Sequence, residues 1–518
     1  MTLGVWMKWS PSTRGTSWRP SSIGKPRSIS TWATWYSSVR FRAQAYRSGA
    51  SWSSPVTNPS GSVTDVLPSS AIAIVTSPSL AAAVPSPARP NTTTASTTPH
   101  APRMQGRAVS ASKTLPRRSL AWGLTAVCSP AVDRAISWRA TRGARAMPFH
   151  LDDEQQMIRR VVSDLVDKTV RPHAEEVDRE RRPPEEALEG LREVDLMGML
   201  ASADYGGGAD TVTFCVAVKE LAKGCASTAA LMGLTNALAT LPVDLLGTDE
   251  QKETWLAELT SGAKLGSFAL TEPNAGADVS SLDTKIVEDG DAWTLRGQKA
   301  WVLGGPLADV HLVVARGPEG PTTVLVPADS EGVETGPPER LLGLRGAQTS
   351  PLYLEEVPVG EDEVLGDAGE ALQQLAEPLR VSRLAIAACA TGLLEASLAA
   401  SQDYADQREQ FDEPIRNFQA IQNRLAGVKT AASTARSLTL KAADRRDEGQ
   451  PFSSQASEAK WRATEDAREH TRSAIRLHGG TGYMREAHVE RFYRDARTLT
   501  IVGGPNQLHR QRIVDRMY

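Results

Sequence analysis
Four cysteines in 518 residues, Cys128, Cys215, Cys225 and Cys389, show neither paired nor metal-like spacing. That scarcity excludes a disulfide framework and fits free thiols in a reducing cytoplasm. Charge of one sign is also lacking: a formal net charge of -3 gives no general pull toward nucleic acid or an anionic membrane. An apolar patch, Ala-Ile-Ala-Ile-Val at 71–75, is broken by Ser and Pro well short of the ~18 to 20 residues of a membrane span. Acids are almost missing from the first 146 residues, where only Asp65 and Asp133 occur while Arg and Lys recur. Beyond Met147 acids outnumber bases, so the chain has two unlike parts.

Residues 1–146 are rich in Ser, Thr, Pro, Ala and Arg and hold Trp6, Trp9, Trp18, Trp32, Trp35, Trp52, Trp122 and Trp138. Without apolar periodicity of helical or strand type, that composition cannot assemble a core. Arg117-Arg118-Ser-Leu-Ala-Trp is a weak echo of a twin-arginine signal but lies too deep in the chain to serve as one. The expectation is a disordered basic tail, or an upstream extension of a protein that natively begins at Met147.

The remainder reads as α+β, mainly α. From 147 to 264 the pattern is helical. Asp152 or Asp153 can cap a helix whose Met157, Val161, Leu165 and Val166 share a face, and Pro172 ends or bends it. A helix after Pro184, a turn at Tyr205-Gly206-Gly207-Gly208, apolar helices through Val216 and Ala229, and an N-cap at Thr248 follow. From 265 to 367, short β-favouring runs divided by Gly, Pro and Asp predict a small antiparallel β-barrel. From 368 to 518, long apolar periodicities with short links predict a four-helix bundle.

Five stretches carry the chemistry: Phe268-Ala-Leu270-Thr271-Glu272-Pro-Asn-Ala-Gly-Ala277-Asp278; Trp301 after a strand; Arg408-Glu-Gln-Phe411-Asp412-Glu-Pro; Leu477-His-Gly479-Gly480-Thr-Gly482; and Glu490-Arg491-Phe-Tyr-Arg494-Asp495. In type and order they resemble the acyl-CoA dehydrogenase family, from about Met147 to the C-terminus. That resemblance implies FAD, with Phe268, Leu270, Thr271, Trp301 and Leu303 at the flavin ring. Arg408, Phe411, Gly479 and Gly480 would meet the pyrophosphate and adenine end, Arg408 reaching the FAD of a neighbouring subunit as a permanently charged, bidentate donor. Ala277 and Arg383 would border the thioester. It further implies a homodimer or tetramer, an acyl-CoA or acyl-carrier substrate, and an electron-transferring flavoprotein as acceptor, with neither nucleic acid nor membrane as partner. Glu490, Arg491, Arg494 and Asp495 read as a structural ion-pair network.

Several positions depart from that pattern. Leu303 stands where a Thr or Ser hydroxyl is usual, Ala277 where Ser is usual, Asp412 where Gly is usual and Arg476 where Gln is usual. The family reaction removes a proton α to a thioester carbonyl and needs a positioned carboxylate. The register places Gly503 where most members carry that Glu, and Ser382, before Arg383, where a minority do. Three readings follow: a dehydrogenase with a relocated base, a subunit that pairs with a catalytic homologue, and a flavin monooxygenase on the same fold.

Overall fold
The computed structural model describes residues 151–289 and 292–518; the expectations for 1–146, the start at Met147 and Cys128 lie outside them. Asp152 caps α1 (Asp153–Leu165), its carboxylate accepting from Gln155 N at 2.9 Å while the Gln155 side chain returns to Asp152 N. The inward face is Ile158, Val162 and Leu165, whereas Met157 and Val161 lie on its half-buried flank. Pro172 does not end the helical path. One wider π turn, Val166–Val170, intervenes, and α2 (Arg171–Glu180) continues with Pro172 in its first turn, where a missing N–H costs little. α3 (Glu185–Glu193) follows, and Tyr205–Gly208 forms the expected turn, with φ of +89° at Gly206 and +103° at Gly208.

α4 (Thr211–Ala222) and α5 (Ala226–Thr235), the latter prolonged by a π turn and α6 (Leu241–Leu246), are buried along most of their length. The 226–246 run and α7 (Ala376–Gln407) are long and apolar enough to cross a membrane, but most of each apolar window is covered by protein. They are core helices. α7 is joined by α8 (Gln419–Asp447), α9 (Ser453–His478), α10 (Val489–Leu499) and the short α11 (Asn506–Val514). A single apolar cluster runs from Ile158 through Phe214 and Leu231 to Ile386 and Leu499, so the first helices and the bundle share one core. Cys215, Cys225 and Cys389 are free and buried within it.

The middle sheet has seven strands: β1 (Gly266–Ala269), β2 (Lys285–Asp289), β3 (Ala292–Val302), β4 (Val310–Arg316), β5 (Pro321–Pro327), β6 (Val333–Thr335) and β7 (Ser350–Val359). Their order is β1-β4-β2-β3-β7-β6, with β5 also on β4. Four pairings are antiparallel, but β1 and the end of β2 run parallel to β4, so the sheet is mixed. β6 and β7 are additions to the sequence reading. Pro351, Pro358 and the Glu355-Glu356 pair mask the alternation of β7.

Candidate active site
The structure gathers the expected site residues into three groups. The first lies where β1 meets the end of β3. Phe268 and Leu270 are half-buried against the cluster of Ala275, Leu282, Val314, Ala371 and Leu375. The Thr271 carbonyl accepts from Ala300 N at 2.8 Å, which places the loop beside Trp301. Trp301 has φ +54° and is 57 % exposed, so its ring faces outward rather than into the sheet core. Leu303 packs against the large helical core.

A buried ion pair fixes this corner. Lys299 Nζ donates to Glu272 Oε1 at 2.6 Å and to the Leu270 carbonyl at 3.2 Å, and the Glu272 carboxylate also accepts from Asp283 N at 2.6 Å and Thr284 N at 3.1 Å. Burial pushes the Glu272 carboxyl up, but the Lys299 ammonium and these N–H donors outweigh it and hold it below its ordinary range. Glu272 is therefore a brace for the Thr271 loop. Sequence reasoning placed Glu272 in a motif and did not single out Lys299. The available signal was a lysine in step with Leu295 and Gly297 on the inward side of β3. Ala277 is exposed further along the same loop.

The second group sits at one end of the bundle. Arg408 terminates α7, its N–H donating to the Tyr404 carbonyl at 2.9 Å, and its exposed side chain forms no ion pair among the described residues. Gly479, φ +61°, ends α9; a Cβ at Gly479 or Gly480 would meet nothing within 4 Å. Ala405, Ile415 and Leu477, with Tyr404 and Phe418, hold these segments together. Phe411 is 89 % exposed at the tip of the hairpin formed by β8 (Glu409–Gln410) and β9 (Glu413–Pro414). This apolar cluster and the one beneath Phe268 share no residue.

The third group lies in the bundle and runs from the buried Ser382, Lys460 and His509 to the exposed Gly503. Ser382 is buried, but its hydroxyl donates to the Leu379 carbonyl at 3.0 Å and is spent on its own helix. Gly503 has φ +69°, a region that a side chain disfavours, and a Cβ there would meet Ile386 Cδ1 at 2.5 Å. Beneath it, Lys460 Nζ donates to the carbonyls of Gly504 (2.8 Å) and Thr500 (3.3 Å) and to Asn506 Oδ1 (2.8 Å). Burial draws that amine down to about 7, against the pull of Glu465, yet three oxygen acceptors use all three protons of an ammonium. His509 Nε2 lies 3.1 Å from the Gly503 carbonyl and donates to it, leaving Nδ1 without a partner. Burial, with Lys460, Arg383 and Arg512 nearby, depresses His509 to about 3, so it is neutral. Neither Lys460 nor His509 was singled out from sequence.

Of the expected network on α10, Arg494 and Glu490 are ion-paired, whereas Arg491 and Asp495 form no ion pair among the described residues. Arg494 binds both Asp178 oxygens at 2.8 and 2.6 Å and both Glu490 oxygens at 2.6 and 2.8 Å, and Asp495 accepts from Leu344 N at 2.6 Å. It ties α2, the loop before β7 and α10 together. Two cavities, one among α1, α4, α7 and α8 and one outside α9, touch none of the expected flavin residues.

Three family models match in chain order: the acyl-CoA dehydrogenase N-terminal domain over residues 152–263, the middle domain over 267–357 and the C-terminal domain over 371–518. The chain belongs to the acyl-CoA dehydrogenase family. It is 39 % identical over 371 residues to the probable acyl-CoA dehydrogenase YngJ of Bacillus subtilis, covering 70 % of this chain and 98 % of that one. Butyryl-CoA dehydrogenase from Megasphaera elsdenii superimposes with a TM-score of 0.69 at 34 % identity, over 71 % of this chain and 99 % of that one. A glutaryl-CoA dehydrogenase from Mycobacterium smegmatis, in complex with FADH2, does so at 0.69 and 28 % identity, over 71 % and 95 %. FAD is the cofactor of this family. The residues fit it: an outward Trp301 beside the Thr271 loop, open space over Gly479 and Gly480, and an unpaired Arg408 for a phosphate.

Proposed function
We propose that this chain catalyses the flavin-linked α,β-dehydrogenation of an acyl thioester, as a homodimer or tetramer that passes electrons to an electron-transferring flavoprotein. The observation that carries this reading is the corner where Glu272 and Lys299 brace the Thr271 loop against Trp301. FAD, when bound, accepts the hydride leaving the β-carbon. Thr271 with the adjoining backbone, and the outward-facing Trp301, would hold its ring. Arg408, Phe411, Gly479 and Gly480 flank the small cluster of Ala405, Ile415 and Leu477, which shares no residue with the one beneath Phe268, and this suits service to a neighbouring subunit's cofactor.

Proton removal at the α-carbon does not fall to position 382 or 503. The Ser382 hydroxyl is bonded within its helix and Gly503 has no side chain. His509, depressed to about 3, is too weak a base to hold a proton at neutral pH. On this reading the proton acceptor comes from another position.

The test is the absorbance of the purified protein and its reduction of an electron-accepting dye with a panel of acyl-CoA thioesters. A flavin spectrum and thioester-dependent reduction are expected. Folded protein that stays colourless with added FAD, or yellow protein that no thioester reduces, would sink the reading.

A further inference from the structure
Between α1, α4, α7 and α8 the helices leave a cavity whose floor is apolar. Cys215, Val216 and Ala388 line it and are each no more than 2 % exposed, and half-buried Leu151 and Leu440 add to its wall. Thr391 and Thr439 also line it, but their hydroxyls donate to the Ala387 and Ala435 carbonyls of their own helices, each at 2.8 Å. They require no hydrogen bond from an occupant. With its open mouth the cavity measures about 470 Å³, inside the roughly 300–1,000 Å³ of small-molecule sites.

The cavity is apart from the expected thioester site. Buried Arg383, and Ile386, whose side chain fills the space above Gly503, mark that site on α7. Ala388 lies about 160° around the helix from Ile386 and Thr391 about 140°, so the cavity uses the side of α7 turned away from Gly503.

Three cations border the cavity, and their circumstances differ. Lys219 Nζ donates to Glu220 Oε1 at 2.6 Å and to Glu395 Oε2 at 3.1 Å, and Lys223 meets the same two carboxylates at 2.7 and 2.8 Å. Two cations and two carboxylates balance there. Arg159 on α1 and Arg436 on α8 are exposed, and neither forms a hydrogen bond or ion pair among the described residues. Neither has an acid three or four places away on its own helix, the spacing at which helical ion pairs form. Two uncommitted guanidiniums from different helices therefore flank one apolar recess. A neutral molecule would use only the recess and a cation would be repelled, whereas an anionic head on a short alkyl chain uses both parts.

We propose that this cavity is an accessory site for a short alkyl anion, with a carboxylate or phosphate head at Arg159 and Arg436 and its chain on the Cys215 and Ala388 floor. The site does not depend on the thioester reading above.

Calorimetric titration of the full chain with hexanoate, hexyl phosphate, hexanol and hexylamine tests it. At low salt the two anions are expected to bind about tenfold tighter than hexanol or better, with hexylamine weakest, and the tighter anion identifies the head. Added salt should weaken the anions more than hexanol. Arg159→Gln with Arg436→Gln, both at the surface, should bring the anions to within about twofold of hexanol, and Arg159→Glu with Arg436→Glu should favour hexylamine over hexanoate. Ala388→Leu, which enlarges a floor side chain, should weaken every ligand; if it does not fold, the two surface double variants decide alone. Anions that do not bind, or bind no tighter than hexanol, would overturn the assignment. So would an anion preference that survives both arginine changes, or affinities unchanged in folded Ala388→Leu.

Discussion

Lys299 in the sheet and Arg383 in the bundle are both buried cations, and they differ in one respect. Lys299 has its counterion 2.6 Å away, in a carboxylate that also receives two backbone N–H groups. Arg383 has none among the described residues. The first site is electrically closed and does structural work, shaping the Thr271 loop. The second is left without a counterion by the described residues. Within one chain, the state of the counterion distinguishes two cations that burial alone does not.

Breaking the closed pair should have the largest effect. Lys299→Met leaves Glu272 buried and ionised, and is expected to cost about 3–5 kcal/mol of stability and to loosen FAD. Denaturant unfolding and flavin retention measure both. The double variant Lys299→Met with Glu272→Gln should recover part of that loss; an unchanged single variant would show that the brace is not needed.

Acid sharpens the comparison next, through histidines held neutral. His509 is depressed to about 3 and, in the sheet, His311 to about 4, each by burial first, with nearby cations adding to the effect at His509. Between those values and the ordinary 6.5 the unfolded chain binds more protons, so stability is lost as pH falls through that window. For His509 the cost at pH 5 is about 2 kcal/mol relative to neutral pH. Unfolding of His509→Gln across pH 7 to 5 should show a shallower decline, and a slope equal to that of the parent would refute the neutral assignment.

The smallest effect belongs to the unpaired site. Arg383→Met, the same kind of change as at Lys299, should leave the ligand-free protein's stability unchanged or raise it by about 1 kcal/mol, because it removes an unpaired buried charge. Unfolding of ligand-free protein checks this. A loss comparable to that of Lys299→Met would mean that Arg383 is compensated within the fold, and the contrast would disappear.

Much of the architecture was legible because it is written in local patterns. The Asp152 and Thr248 caps, the long periodic helices of the bundle and five of the seven middle strands follow from residue spacing. Pro172 misled because a proline in the first turn after a π turn costs a helix little, and β7 escaped because its prolines and charges hide its alternation. The parallel pairing of β1 with β4 joins strands some forty residues apart, which no local signal encodes.

The sequence by itself determined the family, the helix-sheet-helix order, and the absence of a side-chain base at 382 and 503, because each is a matter of residue type and order along the chain. Only the tertiary structure decided what those residues are free to do. It turned Ser382 onto its own helix, filled the space above Gly503 with Ile386, gave Lys299 a partner and left Arg383 without one. Pairing and desolvation arise between segments far apart in sequence, and they come into existence when the chain closes on itself.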